Sequence, residues 1–174
     1  MNNQLINLQP DPLELSRTRS VTPMLKLIVF SMGGLTLALR IESVYKVVNQ
    51  TSIHSNGLKP VGVAPVGEDE VTVVDLHRRF FKSSPPSESE RGGYLVIVKN
   101  TTPKLYGIPV VETPVLMEVP LSMIRVLPES YRRSDTLEVA SHVVVIPQEV
   151  APLTLFLLDV DLLLPIFQAI ASAK

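Results

Sequence analysis

The chain has 174 residues, 45% of them hydrophobic, with 16 Lys and Arg against 17 Asp and Glu and no cysteine. This length suits one domain or two small subdomains that share a core, and the hydrophobic content argues against disorder. The net charge of −1 lacks the basic excess of a typical nucleic-acid-binding protein, and the absence of cysteine excludes disulfides and thiolate zinc sites.

The N-terminal residues 1–22 are polar and contain two prolines. We interpret them as a flexible tail, with docking of the portion LQPDPLEL as the alternative. No basic region followed by an apolar core is visible here, so we expect no signal peptide. We therefore expect order to begin at residue 23 or 24.

Residues 24–41, MLKLIVFSMGGLTLALRI, are apolar enough to raise the question of a membrane span. Lys26 and the pair Gly33-Gly34 interrupt this run, and each half has the length of a strand. Paired glycines supply the positive φ that tight hairpins need. The sequence therefore predicts two strands joined by a glycine turn.

The next segment, IESVYKVV at residues 41–48, has apolar residues at a spacing of three and four, which predicts one or two helical turns. A loop rich in turn formers follows. PVGVAPV and EVTVVDL have the pattern of strands separated by a turn at residues 67–69, and LHRRFF has that of a short helical turn.

Residues 82–93, KSSPPSESERGG, are rich in serine and proline and charged, so we place a subdomain joint or an exposed loop there. The second half repeats the strand pattern, and its last apolar run contains Asp159 and Asp161, which are costly in a bilayer. Residues 160–174 have helical spacing, and Pro165 indicates a kink or a late start. Many short strands separated by turns indicate small antiparallel barrels.

Four blocks in this order resemble CheW-domain proteins. They are LKLIVFSMGGLTLALRIESVYKVV, GLKPVGVAPVGEDEVTVVDLHRRF, YLVIVKNTTPKLYGIPVVETPVLMEV and TLFLLDVDLLL, and they cover roughly residues 24–170. The resemblance implies that residues 23–174 are mainly β, with two SH3-like five-stranded β-barrel subdomains sharing a hydrophobic core. It also implies short helices and a C-terminal helix.

The resemblance further implies a cytoplasmic, non-catalytic adaptor without a cofactor that couples chemoreceptors to a CheA-type histidine kinase. One barrel end would pair with the regulatory domain of the kinase, which has the same fold. A groove between the barrels would take the tip of a methyl-accepting chemoreceptor. Neither nucleic-acid binding nor membrane insertion is expected.

Two charges depart from the family pattern. Gly67 stands where the family usually has the arginine of an Asn-Leu-Arg-Gly turn, and Lys46 stands where it often has a glutamate. Loss of a hydrogen-bonded charge at an interface costs on the order of 2–5 kcal/mol. A divergent partner, in pilus-based motility or phototaxis, is therefore the second hypothesis.

The candidate protein-binding residues follow from family position. They are Val44, Tyr45, Lys46, Val47, Gly67, Leu95, Val96 and Gly107. For the valines and Leu95, packing inside the barrel is the alternative. Tyr45, Lys46 and Gly67 lie where partner specificity would change.

The sequence offers no catalytic constellation. The three histidines lack metal-ligand spacing, and the carboxylates at 68–70 have the pattern of a solvated turn. Asp75 and Asp159 each follow an apolar strand and precede a leucine-rich turn, so we expect both to be helix N-caps. A small β-barrel hydrolase or carbohydrate-binding enzyme is the least favoured alternative.

Overall fold

The structure of the protein, a computed structural model, describes residues 21–54, 61–82, 93–99, 102–133 and 137–172. In these ranges the chain is mainly β and forms one sheet of six strands and one of five. The predicted architecture of two β subdomains with short helices and a C-terminal helix is confirmed. The first sheet has one strand more than expected because a three-residue strand, Ile124–Val126, is added at its edge.

The six-stranded sheet consists of β1 (Met24–Met32), β2 (Leu35–Arg40), β8 (Val115–Pro120), β9 (Ile124–Val126), β10 (Ala140–Ile146) and β11 (Leu153–Leu158). Its spatial order is β8-β1-β2-β11-β10-β9. All neighbours are antiparallel except β11 and β2.

The five-stranded sheet consists of β3 (Val44–Asn49), β4 (Val61–Val66), β5 (Asp69–Val74), β6 (Tyr94–Val98) and β7 (Tyr106–Val110). Its order is β3-β6-β7-β5-β4, and only β5 and β7 are parallel. The helices are α1 (Leu76–Phe81), α2 (Glu129–Arg132) and α3 (Val160–Ser172), with 3-10 turns at Ile41–Ser43 and Leu121–Met123. No helix in the described ranges is long and apolar enough to cross a membrane.

The hairpin between β1 and β2 turns at Gly33-Gly34, as predicted. Met32 pairs with Leu35, and both glycines have positive φ, 56° and 79°. This is the backbone of a two-residue type I′ turn. The ring of Phe81 in α1 lies so close to Gly33 that a Cβ there would overlap it, so the turn is also an anchor for α1.

The prediction of helical turns over residues 41–48 is right only for Ile41–Ser43 and wrong for the rest, which forms β3. Burial alternates along β3 between half-buried and exposed residues. Three valines favour extended backbone because β-branched side chains fit a pleated surface. In so short a segment, a spacing of three and four does not separate this alternation from a helix.

The chain passes from the six-stranded to the five-stranded sheet between β2 and β3 and returns between β7 and β8. The segment near residues 82–93, predicted to be a joint, runs from α1 to β6. The strands on either side of it, β5 and β6, both belong to the five-stranded sheet. Residues 83–92 lie outside the described residues, as do residues 1–20 of the predicted tail.

A shared hydrophobic core joins the two sheets. It includes Leu39 of β2, Val98 of β6, Leu76 of α1 and Phe167 of α3, all at 0% exposure. The ring of Phe167 packs against that of Tyr106 with centroids 5.1 Å apart. The late start that Pro165 suggested is not found, because α3 begins at Val160 and continues through the proline.

Candidate protein-binding surface

The strand β3 lies at an edge of the five-stranded sheet. It pairs with β6 on one side, and no described strand pairs with its other side. Val44 is opposite Val98 and Lys46 is opposite Ile97, so Tyr45 has no partner residue in β6. Such a β-bulge turns a side chain away from the regular pleat. The strand therefore presents Tyr45 to solvent.

Two apolar side chains flank a cation on this edge. Tyr45 is 48% exposed and Val47 is 37% exposed, while Lys46 between them is half-buried. The Lys46 Nζ lies 5.5 Å from the centroid of the Tyr45 ring, within the range of a cation–π interaction. No carboxylate of the described residues forms an ion pair with Lys46. The cation is thus available to a carboxylate of another molecule.

The chain that follows β3 connects this edge with the turn at Gly67. His54 and Val63 exchange backbone hydrogen bonds of 2.8 and 2.9 Å, and the Thr51 hydroxyl donates to the Pro65 carbonyl at 3.2 Å. These contacts join the continuation of β3 to β4, whose hairpin with β5 turns at Gly67. In the strand order β3 and β4 are the two opposite edges of the sheet, so these contacts link the two edges through the segment that follows β3.

The turn at Gly67 is shorter than predicted, because Val66 already pairs with Asp69. Gly67 has a φ of 63°, and a Cβ there would meet no heavy atom within 4 Å. Backbone conformation, not lack of space, is therefore the local reason for a glycine at this position. The turn leaves room for a larger side chain at the cost of backbone strain.

Leu95, Val96 and Gly107 lie inside the protein. Leu95 and Val96 are 0% exposed, the first in a cluster within the five-stranded sheet and the second in the shared core. Gly107 is buried beside Leu95, and a Cβ on it would lie 2.8 Å from the Leu95 Cδ1. The burial of Leu95 and Val96 is what we expect if these residues pack inside the barrel instead of contacting a partner. Val44 is half-buried and packs against the shared core.

A family model described as the CheW-like domain matches residues 26–166, which is most of the chain.

The chain belongs to the CheW-like domain family.

Among solved structures, the protein is similar to the scaffolding protein TtCheW from Thermoanaerobacter tengcongensis. The TM-score is 0.64 and the identity 17%, with 81% of this chain and 88% of that chain covered. At this identity the likeness concerns the fold. No curated protein matches the chain.

Both aspartates that end strands in this CheW-like domain are N-caps, as predicted. The Asp75 Oδ1 accepts a hydrogen bond of 2.9 Å from the backbone N–H of Arg78 at the start of α1. The Asp159 Oδ1 accepts one of 2.9 Å from the N–H of Asp161 at the start of α3. Each carboxylate thus satisfies a backbone donor that the first helical turn leaves without a partner.

The three histidines of the CheW-like domain belong to different parts of the fold: His54 bridges to β4, His77 lies in α1 and His142 lies in β10. His142 shares a hydrogen bond of 2.7 Å with the Ser141 hydroxyl, and the His77 ring packs on Phe81 with centroids 4.9 Å apart. Within the described ranges, no three His, Asp or Glu side chains converge as metal ligands would. Asp69 and Glu70 belong to β5, where successive side chains point to opposite faces.

Sequence reasoning missed a second exposed edge, at β8. Val115 and Leu116 are each 55% exposed, although they are consecutive and so lie on opposite faces of the strand. The run VLM, with consecutive apolar residues, is compatible with an edge strand that exposes apolar residues on both faces. Without the strand order, such a run has the same pattern as a buried strand.

Proposed function

We propose that this CheW-like protein is an adaptor that couples a chemoreceptor to a CheA-type histidine kinase, without catalysis of its own. The family match over residues 26–166 and the fold similarity to a CheW scaffolding protein support this role. On the kinase, the part that binds this protein is the regulatory domain. On the receptor side, the partner is the tip of a methyl-accepting chemoreceptor or a divergent equivalent. Both partners act in the cytoplasm, and we place this protein there with them.

The proposed receptor surface consists of Tyr45, Lys46 and Val47 on β3 together with the turn at Gly67. The observation that carries it is an exposed edge on which two apolar side chains flank a cation without an ion-pair partner among the described residues. A partner that covers Tyr45 and Val47 also removes water from around Lys46, which strengthens the attraction of Lys46 for a carboxylate. Apolar contact gives affinity here, and the charge gives specificity.

Titration with the two proposed partners tests the assignment. We expect Val47→Asp to weaken receptor-tip binding by at least about tenfold, which corresponds to about 1.4 kcal/mol. Val145→Asp is the matched control, because Val145 is an exposed valine (49%) on β10 of the other sheet. Equal losses from both variants would contradict the surface. Absence of binding to both partners at tens of micromolar would contradict the adaptor role itself.

A second candidate is a CheW-like scaffold for pilus-based motility or phototaxis with a different receptor. The lysine at position 46 and the glycine at position 67 favour it, since family charges are reversed or absent there. If divergence is the cause, Lys46→Glu combined with Gly67→Arg should gain binding to a standard receptor tip. The φ of 63° at Gly67 makes an arginine there costly by about 1–2 kcal/mol, so thermal unfolding is measured alongside. A folded double variant that gains no binding would argue against this explanation.

The enzymatic alternative, a small β-barrel hydrolase, has a simple test. Asp75→Asn preserves a good N-cap while it removes the negative charge. We expect no hydrolytic turnover from either protein, and turnover that is lost in the folded variant would revive the alternative.

A further inference from the structure

The β-bulge in β3 brings two consecutive side chains into contact. Val44 is opposite Val98 and Lys46 is opposite Ile97, so Tyr45 is the extra residue of the bulge. In a regular strand, consecutive side chains point to opposite faces of the sheet. The Lys46 Nζ nevertheless lies 5.5 Å from the centroid of the Tyr45 ring. The interruption of the pleat makes this contact between neighbours possible.

The bulge is a property of β3 and not of every edge strand in this fold. β8 holds the corresponding place in the six-stranded sheet, because each of the two strands is an edge that pairs with the first strand of a hairpin. The pairing of β8 with β1 runs from Val115 to Pro120 without a shift of register. Bulges occur frequently next to functional sites, where they change the direction of a side chain. We therefore connect the bulge in β3 with the direction of Tyr45 and Lys46.

Lys46 has no acidic partner among the residues that the structure describes. The acidic residues nearest to it in the chain are Glu42 and Glu68, and Glu42 pairs with Arg40 at 3.5 Å. The lysine side chain is half-buried and its ammonium lies near an aromatic ring. It has therefore already lost part of its hydration and side-chain freedom, which lowers the cost of binding an anion.

A single carboxylate suits this place better than a phosphate group. Phosphate sites combine arginine side chains or several backbone N–H groups at a helix N-terminus, whereas β3 carries one lysine among uncharged residues. The net charge of −1 also lacks the basic excess of a protein that binds a phosphate backbone. The Lys46 ammonium can bind one Asp or Glu side chain of a partner, while the exposed Tyr45 ring offers apolar contact beside it.

We propose that Tyr45 and Lys46 form a carboxylate-binding site that selects receptors with an Asp or Glu on the contact face of the tip. Lys46 binds the carboxylate, and Tyr45 is a positioning residue whose ring holds the ammonium in place. The assignment rests on the proposed function, because it names a chemical group on the receptor. A receptor tip without an acidic residue at this point binds more weakly.

Calorimetric titration of the full-length protein with receptor tips tests the proposal. The probes are soluble helical-hairpin fragments of the methyl-accepting chemoreceptors from the same genome. Lys46→Gln should weaken binding of a tip by about tenfold and reduce the salt dependence of binding between about 0.05 and 0.5 M. Lys26→Gln is the matched control, because it removes one lysine charge from the other sheet, where Lys26 pairs with Glu118. This control should change the affinity by no more than about twofold.

Two variants separate the positioning role of Tyr45 from its apolar contact with the partner. Tyr45→Phe keeps an aromatic ring and should bind within about twofold of the native protein. Tyr45→Leu keeps an apolar side chain without a ring and should weaken binding by about threefold. The loss from Tyr45→Leu should be smaller when Lys46→Gln is also present. Equal losses with and without the lysine would contradict the positioning role.

A charge exchange identifies the group on the receptor. Each Asp and Glu of the tip is replaced by lysine, one at a time. One replacement should weaken binding to the native protein by about tenfold, and Lys46→Glu should restore that loss. Tyr45 and Lys46 are exposed and half-buried, respectively, so their variants should remain folded.

The outcomes separate the site from the adaptor role. If a tip binds and neither Lys46→Gln nor any charge exchange alters the affinity, the carboxylate site is refuted while the adaptor role stands. If no tip binds at tens of micromolar, the adaptor role fails and the site fails with it.

Discussion

Replacement of Asp75 by alanine, compared with replacement by asparagine, separates a capping role of the side chain from a role of its charge. The Asp75 carboxylate accepts the Arg78 N–H at 2.9 Å in a half-buried setting. The helix that it caps, α1, buries Leu76 and Phe80 in the shared core. The cap therefore fixes the start of a helix that links the five-stranded sheet to the core between the sheets.

The magnitude follows from what alanine removes. Loss of an N-cap oxygen costs about 0.5–2 kcal/mol, and a half-buried cap lies in the upper part of that range because its removal leaves the Arg78 N–H partly shielded from water. The side chains of Leu76 and Phe80 still anchor α1, so the loss stays local. We expect the free energy of unfolding to fall by about 1.5 kcal/mol, which lowers Tm by about 3–6 °C for a chain of this size.

Urea denaturation followed by circular dichroism measures this loss. With a slope of about 2 kcal/mol/M, the midpoint should fall by about 0.7 M. Asp75→Asn should stay within about 0.5 kcal/mol of the native protein, since asparagine caps as well as aspartate. Glu68→Ala controls for the loss of an exposed carboxylate in the preceding turn and should have no effect beyond about 0.5 kcal/mol. If Asn destabilised as much as Ala, the charge and not the cap would be responsible, and the reasoning would fail.

Three further stability predictions follow from packing. Gly107→Ala should lower the free energy of unfolding by about 1–3 kcal/mol, because the new Cβ would lie 2.8 Å from the Leu95 Cδ1. The double variant with Leu95→Val should lose less than the sum of the two single changes. Strict additivity in urea denaturation would contradict the overlap. Arg79 and Glu138 form an ion pair at 3.3 Å with side chains 34% and 40% exposed. A double-mutant cycle should give a coupling energy of about 0.5 kcal/mol, which should disappear in about 1 M salt. A larger coupling energy that does not depend on salt would contradict a screened surface pair. Phe167→Ala, at a fully buried position, should cost about 3–5 kcal/mol, measured by chemical denaturation, and a loss below 1 kcal/mol would contradict its place in the shared core.

Several local features could be predicted from short stretches of sequence. Gly33-Gly34 specified the first hairpin because positive φ at both positions belongs to a tight turn and costs glycine little. Asp75 and Asp159 specified two helix starts because an aspartate side chain bonds the free amides only two or three residues ahead. The ordered blocks also indicated the CheW-like fold, which the family match confirms.

The candidate surface was predictable only in part. Tyr45 and Val47 are exposed, whereas Leu95 and Val96, similar in character and drawn from the same family pattern, are fully buried. The difference arises because β6 has strands on both sides and β3 has one on only one side. Strand order is a property of the assembled sheet, so no neighbouring residue in the sequence encodes it.

Residues a few positions apart were enough to locate the turn at Gly33-Gly34, the helix starts after Asp75 and Asp159 and the predominance of short strands, since these features depend on local interactions. Tertiary structure alone decided that residues 44–49 form an edge strand, that the chain changes sheets after β2 and β7, and that β8 has a free side. These features depend on pairing between segments far apart in sequence. Burial of a strand is set by the neighbours that such pairing gives it, and its own residues constrain those neighbours only weakly.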